Sequence, residues 1–428
     1  MENWTQSAVT TIINTAGSTM DIANNISTLI STNNATTTIP PMFVPCNSPQ
    51  NLVSPKVAQT VDLVVYAGIF PALVTAGVIT NVINMAVFSH QGLSDRINLC
   101  LFSLALADTG FLLFLMCGKS YALVSLVSRE AGSYWQQRNL VIVLGSHLGF
   151  IITSTAVTAL IAIERCVCVV SPFKAKTFLK TRYIAIVILT MGIYALVVKN
   201  TALGLKYLTV KVQDPATNTT IFISRLTPFY LRHKTIIDTI YSDLLSVTVP
   251  TLSLVVVIVC TSVTVVKLKL SLQWRQKSNA SSTVIVTSAE KREAAVTRML
   301  VTVCCLYVIC MTPSVMRTFA LHRLPGFLIS GYLCNTFKVT TALVHLLEVI
   351  NASANFFIYL KQSSRYKATL FQMCSKFRCL RDTGKKSDAE MSVVSRSVVN
   401  SRASNIDCRQ HLGQSKGPYN LDTEAGHM

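Results

Sequence analysis

Long apolar runs, each about as long as a membrane-crossing helix, alternate with short polar stretches along this chain. Seven can be marked out, near Val61–Phe88, Ile97–Val124, Asn139–Val169, Tyr183–Leu203, Ile237–Val266, Ala294–Phe319 and Leu333–Tyr359. A hydrocarbon core of roughly 30 Å takes about twenty residues of helix to cross. Inside lipid the backbone amides must be satisfied within the segment, so each run predicts an α-helix. The expected fold class is therefore an all-α membrane protein, a seven-transmembrane helix bundle. After the last run, Ser364–Phe377 mixes basic and apolar positions (Arg365, Lys367, Leu370, Phe371), which predicts a short amphipathic helix on the membrane surface. Met1–Gln59 is low in charge and rich in Ser, Thr and Asn, the composition of a disordered tail. The expected organisation is an extracellular, disordered, glycosylated N-tail over 1–59, a seven-helix membrane domain over 60–361, a surface helix over 362–380 and a disordered cytoplasmic tail over 381–428. The chain shows no internal repeat.

The net charge of +19 raises the question of nucleic acid, but its distribution argues against that partner. Basic residues crowd the loop after the third run (Lys174, Lys176, Lys180, Arg182), the loop before the sixth (Lys267, Lys269, Arg275, Lys277) and the stretch after the seventh (Lys361, Arg365, Lys367). Met1–Thr60 carries a single basic residue, Lys56. The positive-inside rule then puts the N-terminus outside and the C-terminus in the cytoplasm, as seven crossings require, and the expected location is the plasma membrane. Sequons at Asn3, Asn25, Asn34 and Asn218 all fall on the outer side of this arrangement. No cleavable signal precedes the first run, which is expected to serve as the uncleaved insertion signal.

Polar residues inside the runs are costly and point to function. The first run holds Asn81 and the second Leu104-Ala-Leu-Ala-Asp108. The third ends in Glu164-Arg165-Cys166, with Pro172 seven residues beyond the arginine. Pro250 lies in the fifth, Cys310-Met-Thr-Pro313 in the sixth, and Asn351-Ala-Ser-Ala-Asn355-Phe-Phe-Ile-Tyr359 closes the seventh. In this order and spacing the marks resemble those of the rhodopsin-like (class A) G-protein-coupled receptors, over Val61–Cys379. The stretch from Glu348 through Arg365 is most similar to invertebrate FMRFamide-receptor-like and molluscan chemosensory receptors.

The resemblance implies a signalling switch built from Glu164, Arg165, Met311, Pro313, Asn355 and Tyr359. Arg165 is expected to pair with Glu164 or to reach Glu293, twenty residues before Pro313, in a lock that keeps the sixth helix closed; alternatively Glu293 belongs to a solvated helix end. The same resemblance implies an allosteric sodium ion held by Asp108, Ser154, Asn351, Asn355 and Asn81, with a water-filled polar network as the other reading. Its partners are a heterotrimeric G protein and, at the C-tail, arrestin and a receptor kinase; membrane lipids surround it. The chain departs from the family at Met311, where tryptophan is usual, at Phe356, where proline is, and at Ile258, where tyrosine is. The disulfide that normally ties the third span to the second outer loop has lost both halves: Leu140 stands at one, and no cysteine lies between Cys168 and Cys260. Cys46 and Cys334 are the outward candidates for a bridge. Cys374 and Cys379 are candidate palmitoylation sites or plain thiols.

His147 stands eighteen residues before Arg165, where amine-binding relatives carry an aspartate, and Val349 stands where opsins need a lysine. The outer cavity is expected to be lined by Lys119, His147, Arg317, Lys338, His345 and Glu348. With the outer-loop residues Lys199, Lys206, Lys211, Arg225 and Arg232 these make a positive funnel suited to an acidic peptide or small water-borne cue. Snorkelling onto lipid headgroups is the competing reading. A transporter or channel is the rival class, but no repeat or broken helix pair supports it. An enzyme is not expected: the seven histidines are scattered, with no metal-like pair spacing, and no metal or other cofactor is implied beyond the sodium.

Overall fold

Among the described residues of the computed structural model, seven helices are long and apolar enough to cross a membrane. They are α1 (Pro55–Gln91), α2 (Arg96–Lys119), α3 (Arg129–Val170), α4 (Thr181–Lys206), α5 (Lys234–Ser271), α6 (Ser288–Arg323) and α7 (Cys334–Gln362). An eighth, α8, covers 364–375. The structure describes residues 48–121, 124, 127–171, 180–213, 220–279, 288–328 and 331–375. Several ends differ from the apolar runs because a helix does not stop where its apolar residues do. α2 ends at Lys119, short of Val124. α3 starts at Arg129, well ahead of Asn139, because Ser128 caps the amide of Ala131 at 3.2 Å and Glu130 lies in the positive first turn.

Two stretches are π-helical, Leu63–Ile69 and Thr239–Thr248, and each runs up to a proline, Pro71 and Pro250. Proline lacks an amide hydrogen and its ring presses on the carbonyl four residues before, here Ala67 and Ser246. Both carbonyls lie inside the widened turns, which relieve that contact.

The chain divides into two compact units, residues 1–63 with 320–342 and residues 64–319 with 343–428. In the smaller, Asn51 Oδ1 accepts from the Asn335 amide at 3.1 Å, and Asn335 Nδ2 donates to the Val53 carbonyl at 3.2 Å. Phe327 and Phe337 meet edge to face at 5.5 Å. Cys334 is fully buried and disulfide-bonded. Every other described cysteine is a free thiol, so its partner is one of Cys46, Cys379 and Cys408, which lie outside the described residues.

In the larger unit α3 is the hub, packed on α2, α4 and α5. Gly149 makes the α3–α4 approach possible: a Cβ there would stand 3.0 Å from the Cα of Leu196. Toward Arg165's end of α3, Leu101, Val157, Ile161, Leu300, Val303, Tyr359 and Tyr366 form one apolar cluster. A second joins Ala159 and Ala162 to Leu254, Val257, Tyr307 and Met311. The opposite faces of α4 (Ile186, Leu189, Ile193, Val197) and α5 (Leu252, Val255, Val259) are apolar and exposed, as lipid-facing surfaces are.

The connection between α4 and α5 contains a β-hairpin, β1 (Tyr207–Gln213) paired antiparallel with β2 (Thr220–Leu226). It is held to the polar first turns of α3. Thr209 Oγ1 donates to the Gln137 carbonyl at 3.0 Å, Ser224 Oγ donates to Gln137 Oε1, and Tyr134 and Phe222 stack edge to face at 4.9 Å. Beside it, the Tyr230 hydroxyl donates to the Asp238 carboxylate at 2.9 Å; burial and that carboxylate push the Tyr230 hydroxyl well above the usual phenol range.

Candidate functional site

At the C-terminal end of α3, Glu164 and Arg165 are both buried. The Glu164 carboxylate accepts from Arg165 Nε and, at 2.7 Å, from Nη2. It also pairs with Arg96 Nε at 2.8 Å and accepts from the Cys168 thiol at 3.3 Å. One carboxylate therefore serves two guanidiniums, which is how charge survives away from water. Glu293 is exposed, and no ion pair joins it to Arg165 among the described residues. Of the two pairings open to Arg165, the structure has Glu164. Reaching Arg165 would take the Glu293 carboxylate out of water for a cation already satisfied. Arg96, at the first turn of α2, was missed by sequence reasoning; its sign, a charge at a span's mouth, was there to see.

Midway along the bundle Asp108 is 1% exposed. Ser154 Oγ donates to its Oδ1 at 2.6 Å, and Asn355 Nδ2 donates to its Oδ2 at 3.1 Å. A small cavity lined by Asp108, Ser154, Thr155, Met311, Glu348 and Asn351 opens beside it. The oxygen-rich donor set fits a small, hard cation. Asn81 is not on the carboxylate: its amide donates to the Ala352 carbonyl at 2.8 Å and its Oδ1 accepts from Asn84 at 3.3 Å, so the ion set expected from sequence loses that member. Asn84 in turn accepts from the Tyr366 hydroxyl at 2.7 Å, which links α8 through α1 to α7. Tyr359 is buried between Phe88, 5.3 Å away, and Tyr366, 5.7 Å away. Pro313 lies inside an uninterrupted α6.

Toward the other end, His147 of α3 and His345 and Glu348 of α7 come together, with one ligating atom from each within 4.8 Å of the others. All three are buried. The Tyr66 hydroxyl bonds His345 Nδ1 at 2.9 Å, Ser314 Oγ donates to Glu348 Oε1 at 2.6 Å, and His147 stacks on Phe111. His147 Nε2 and Arg317 Nε are buried and have no hydrogen-bond partner among the described residues. The Lys119 ammonium lies 4.0 Å from the Tyr66 ring centre. The histidines that looked scattered are thus paired across α3 and α7, where no local spacing rule reaches. Tyr66 and Ser314 were also missed, since an aromatic or a hydroxyl in an apolar run carries no distinguishing mark.

The positive funnel is smaller than expected. Lys199 is not in an outer loop; it is buried in α4, donating to Ser246 Oγ at 2.6 Å and to the Tyr241 carbonyl at 3.3 Å. Lys206 is paired with Asp238 at 3.7 Å. Lys338 belongs to the smaller unit. Asn3, Asn25, Asn34, Asn218, Cys46 and Cys379 lie outside the described residues, and Cys374 is an exposed free thiol.

A family model described as 7 transmembrane receptor (rhodopsin family) matches residues 81–359, from Asn81 to Tyr359. No curated protein matches the chain at a significant level.

Proposed function

Because the chain belongs to the rhodopsin family of seven-transmembrane receptors, and is a multi-pass G-protein-coupled receptor, we propose that it binds an acidic extracellular peptide or small chemosensory cue and activates a heterotrimeric G protein by outward movement of α6. The observation that carries this reading is the buried Glu164–Arg165 pair beside the cluster that joins α3 to α6 and α7. Pro313 lets the half of α6 preceding it swing, and loss of the contacts of Leu300 and Val303 would free Arg165 to meet the G protein. Coupling of roughly 1–3 kcal/mol is enough to bias such a two-state helix.

The charge bias of the loops supports an extracellular N-terminus, a cytoplasmic C-terminus and residence in the plasma membrane, with glycans on Asn3, Asn25, Asn34 and Asn218. Arg317, whose buried Nε has no hydrogen-bond partner among the described residues, is the first choice for the ligand's acidic group, and Lys119 the second. Asp108, Ser154, Asn351 and Asn355 would hold a sodium ion, which would supply a counter-charge to the buried carboxylate. Cys46 is the partner we assign to Cys334, because Asn335 is bonded to Asn51 and Val53, which follow Cys46 closely in sequence. Cys374 and Cys379 are assigned to palmitate, and the Ser-rich tail to a receptor kinase and arrestin.

A screen of acidic peptides, with FMRFamide-like and amino- or carboxylic-acid cues, against receptor-expressing cells tests the reading. The expected result is ligand-evoked G-protein dissociation without transmembrane current, weakened by Arg317→Gln. A ligand-gated current without G-protein dissociation would favour a channel instead.

A further inference from the structure

We propose that His147, His345 and Glu348 form a binding site for a borderline-soft divalent cation of the zinc class, next to the oxygen-lined site at Asp108, whose cavity Glu348 also lines. Two imidazoles and one carboxylate are a donor set that zinc takes in tetrahedral sites that keep a fourth position open. The three ligating atoms already lie within 4.8 Å of one another. Bonds of about 2.0–2.1 Å put tetrahedral donors roughly 3.3 Å apart, so small side-chain rotations close the site.

Three further observations point the same way. His147 Nε2 is buried with no hydrogen-bond partner among the described residues, an expensive state for a ring nitrogen that coordination would relieve. Tyr66 occupies His345 Nδ1, which leaves Nε2 of that ring as the coordinating atom. Ser314 holds one oxygen of Glu348 and leaves the other to the site. Hydrogen bonds of this kind around first ligands fix tautomer and orientation in metal sites. The ligands come from α3 and α7, with Tyr66 on α1 and Ser314 on α6, so the ion would clamp elements that a receptor must move. The charges of Lys119 and Arg317 act on both histidines and weaken a cation's hold; the Glu348 carboxylate offsets part of them.

The test uses the full-length receptor, purified in detergent without a histidine tag, melted in EDTA, in micromolar zinc chloride and in magnesium chloride. Zinc is expected to raise the melting temperature by about 5 °C at saturation, and magnesium, which wants oxygen ligands, to leave it unchanged. His345→Phe and Glu348→Gln should abolish the zinc shift, whereas His147→Cys, which offers a thiolate, should keep it. Cobalt added to the wild-type receptor should give the visible absorption bands of a tetrahedral site. A wild-type melting temperature unmoved by zinc, or a shift that survives in the H147A/H345A double variant and so comes from exposed histidines such as His90, His233 or His322, would overturn the proposal.

Discussion

Arg165 and Glu164, neighbours in sequence, form a buried ion pair in which the carboxylate also holds Arg96 of α2. The ion pairs of the described residues at this end therefore lie within α3 and α2. Neutralising Glu164 leaves the buried Arg165 and the half-buried Arg96 without the carboxylate they share. Glu164→Gln is expected to raise basal G-protein activation at least about fivefold, in line with ordinary coupling energies. Glu293→Ala, which removes an exposed side chain, should change it by less than about twofold. G-protein dissociation at matched surface expression makes the comparison, and the reverse ranking would return the lock to α6.

The Asp108 site predicts sensitivity to the monovalent cation. Wild-type receptor should melt higher in sodium chloride than in choline chloride at equal ionic strength. Asp108→Asn should erase that difference. Ser154→Ala, which deletes a 2.6 Å hydrogen bond to a buried carboxylate, is expected to cost about 1–3 kcal/mol and to weaken the sodium effect. Equal melting in the two salts for the wild type would leave the polar network without an ion.

The hairpin between α4 and α5 stands where the family normally has a disulfide, and Gln137 and Tyr134 anchor it without one. Gln137→Ala should lower stability by about 0.5–1.5 kcal/mol, since it removes the acceptor of Ser224 and leaves the backbone bond from Thr209. Tyr134→Ala adds the loss of an aromatic pair, about 0.5–1.5 kcal/mol more. Thermal melts of the single and double variants check both values; no change in either would remove the anchoring role.

Cysteine chemistry gives a fourth prediction. Cys46→Ser should free the Cys334 thiol and lower stability by about 2–4 kcal/mol, the ordinary worth of a disulfide. Peptide mapping under non-reducing conditions reads the linkage directly. A Cys334 peptide crosslinked to any other cysteine would exclude Cys46.

The seven helices were legible because lipid is an unforgiving solvent: it admits only long apolar segments, and these stand out. Asp108, Ser154 and Asn355 were legible for the same reason, as polar atoms in lipid need one another. What escaped was set by long-range meetings or by polar sequence. His147 and His345 belong to different helices, and no spacing rule pairs them. Arg129–Arg138 reads as a loop by hydropathy, yet a serine cap and an acidic first turn make it helix. Alternation in Tyr207–Val212 and Ile221–Leu226, with its valines and isoleucines, carried a strand signal that a search for spans passes over. Lys199 was put in water because a lysine marks a span's edge; instead Ser246 and the Tyr241 carbonyl, both in the π-helical stretch of α5, receive it.

Those π-helical stretches bear on any alignment of this chain. A residue inserted into a helical turn rotates everything upstream by about 100° relative to an unbroken α-helix. Counting outward from Pro250 or Pro71 by the usual periodicity would therefore assign the wrong side chains to the bundle's interior. Mutagenesis borrowed position by position from relatives with regular helices would, in the parts of α1 and α5 that precede those prolines, probe lipid-facing side chains instead of interior ones.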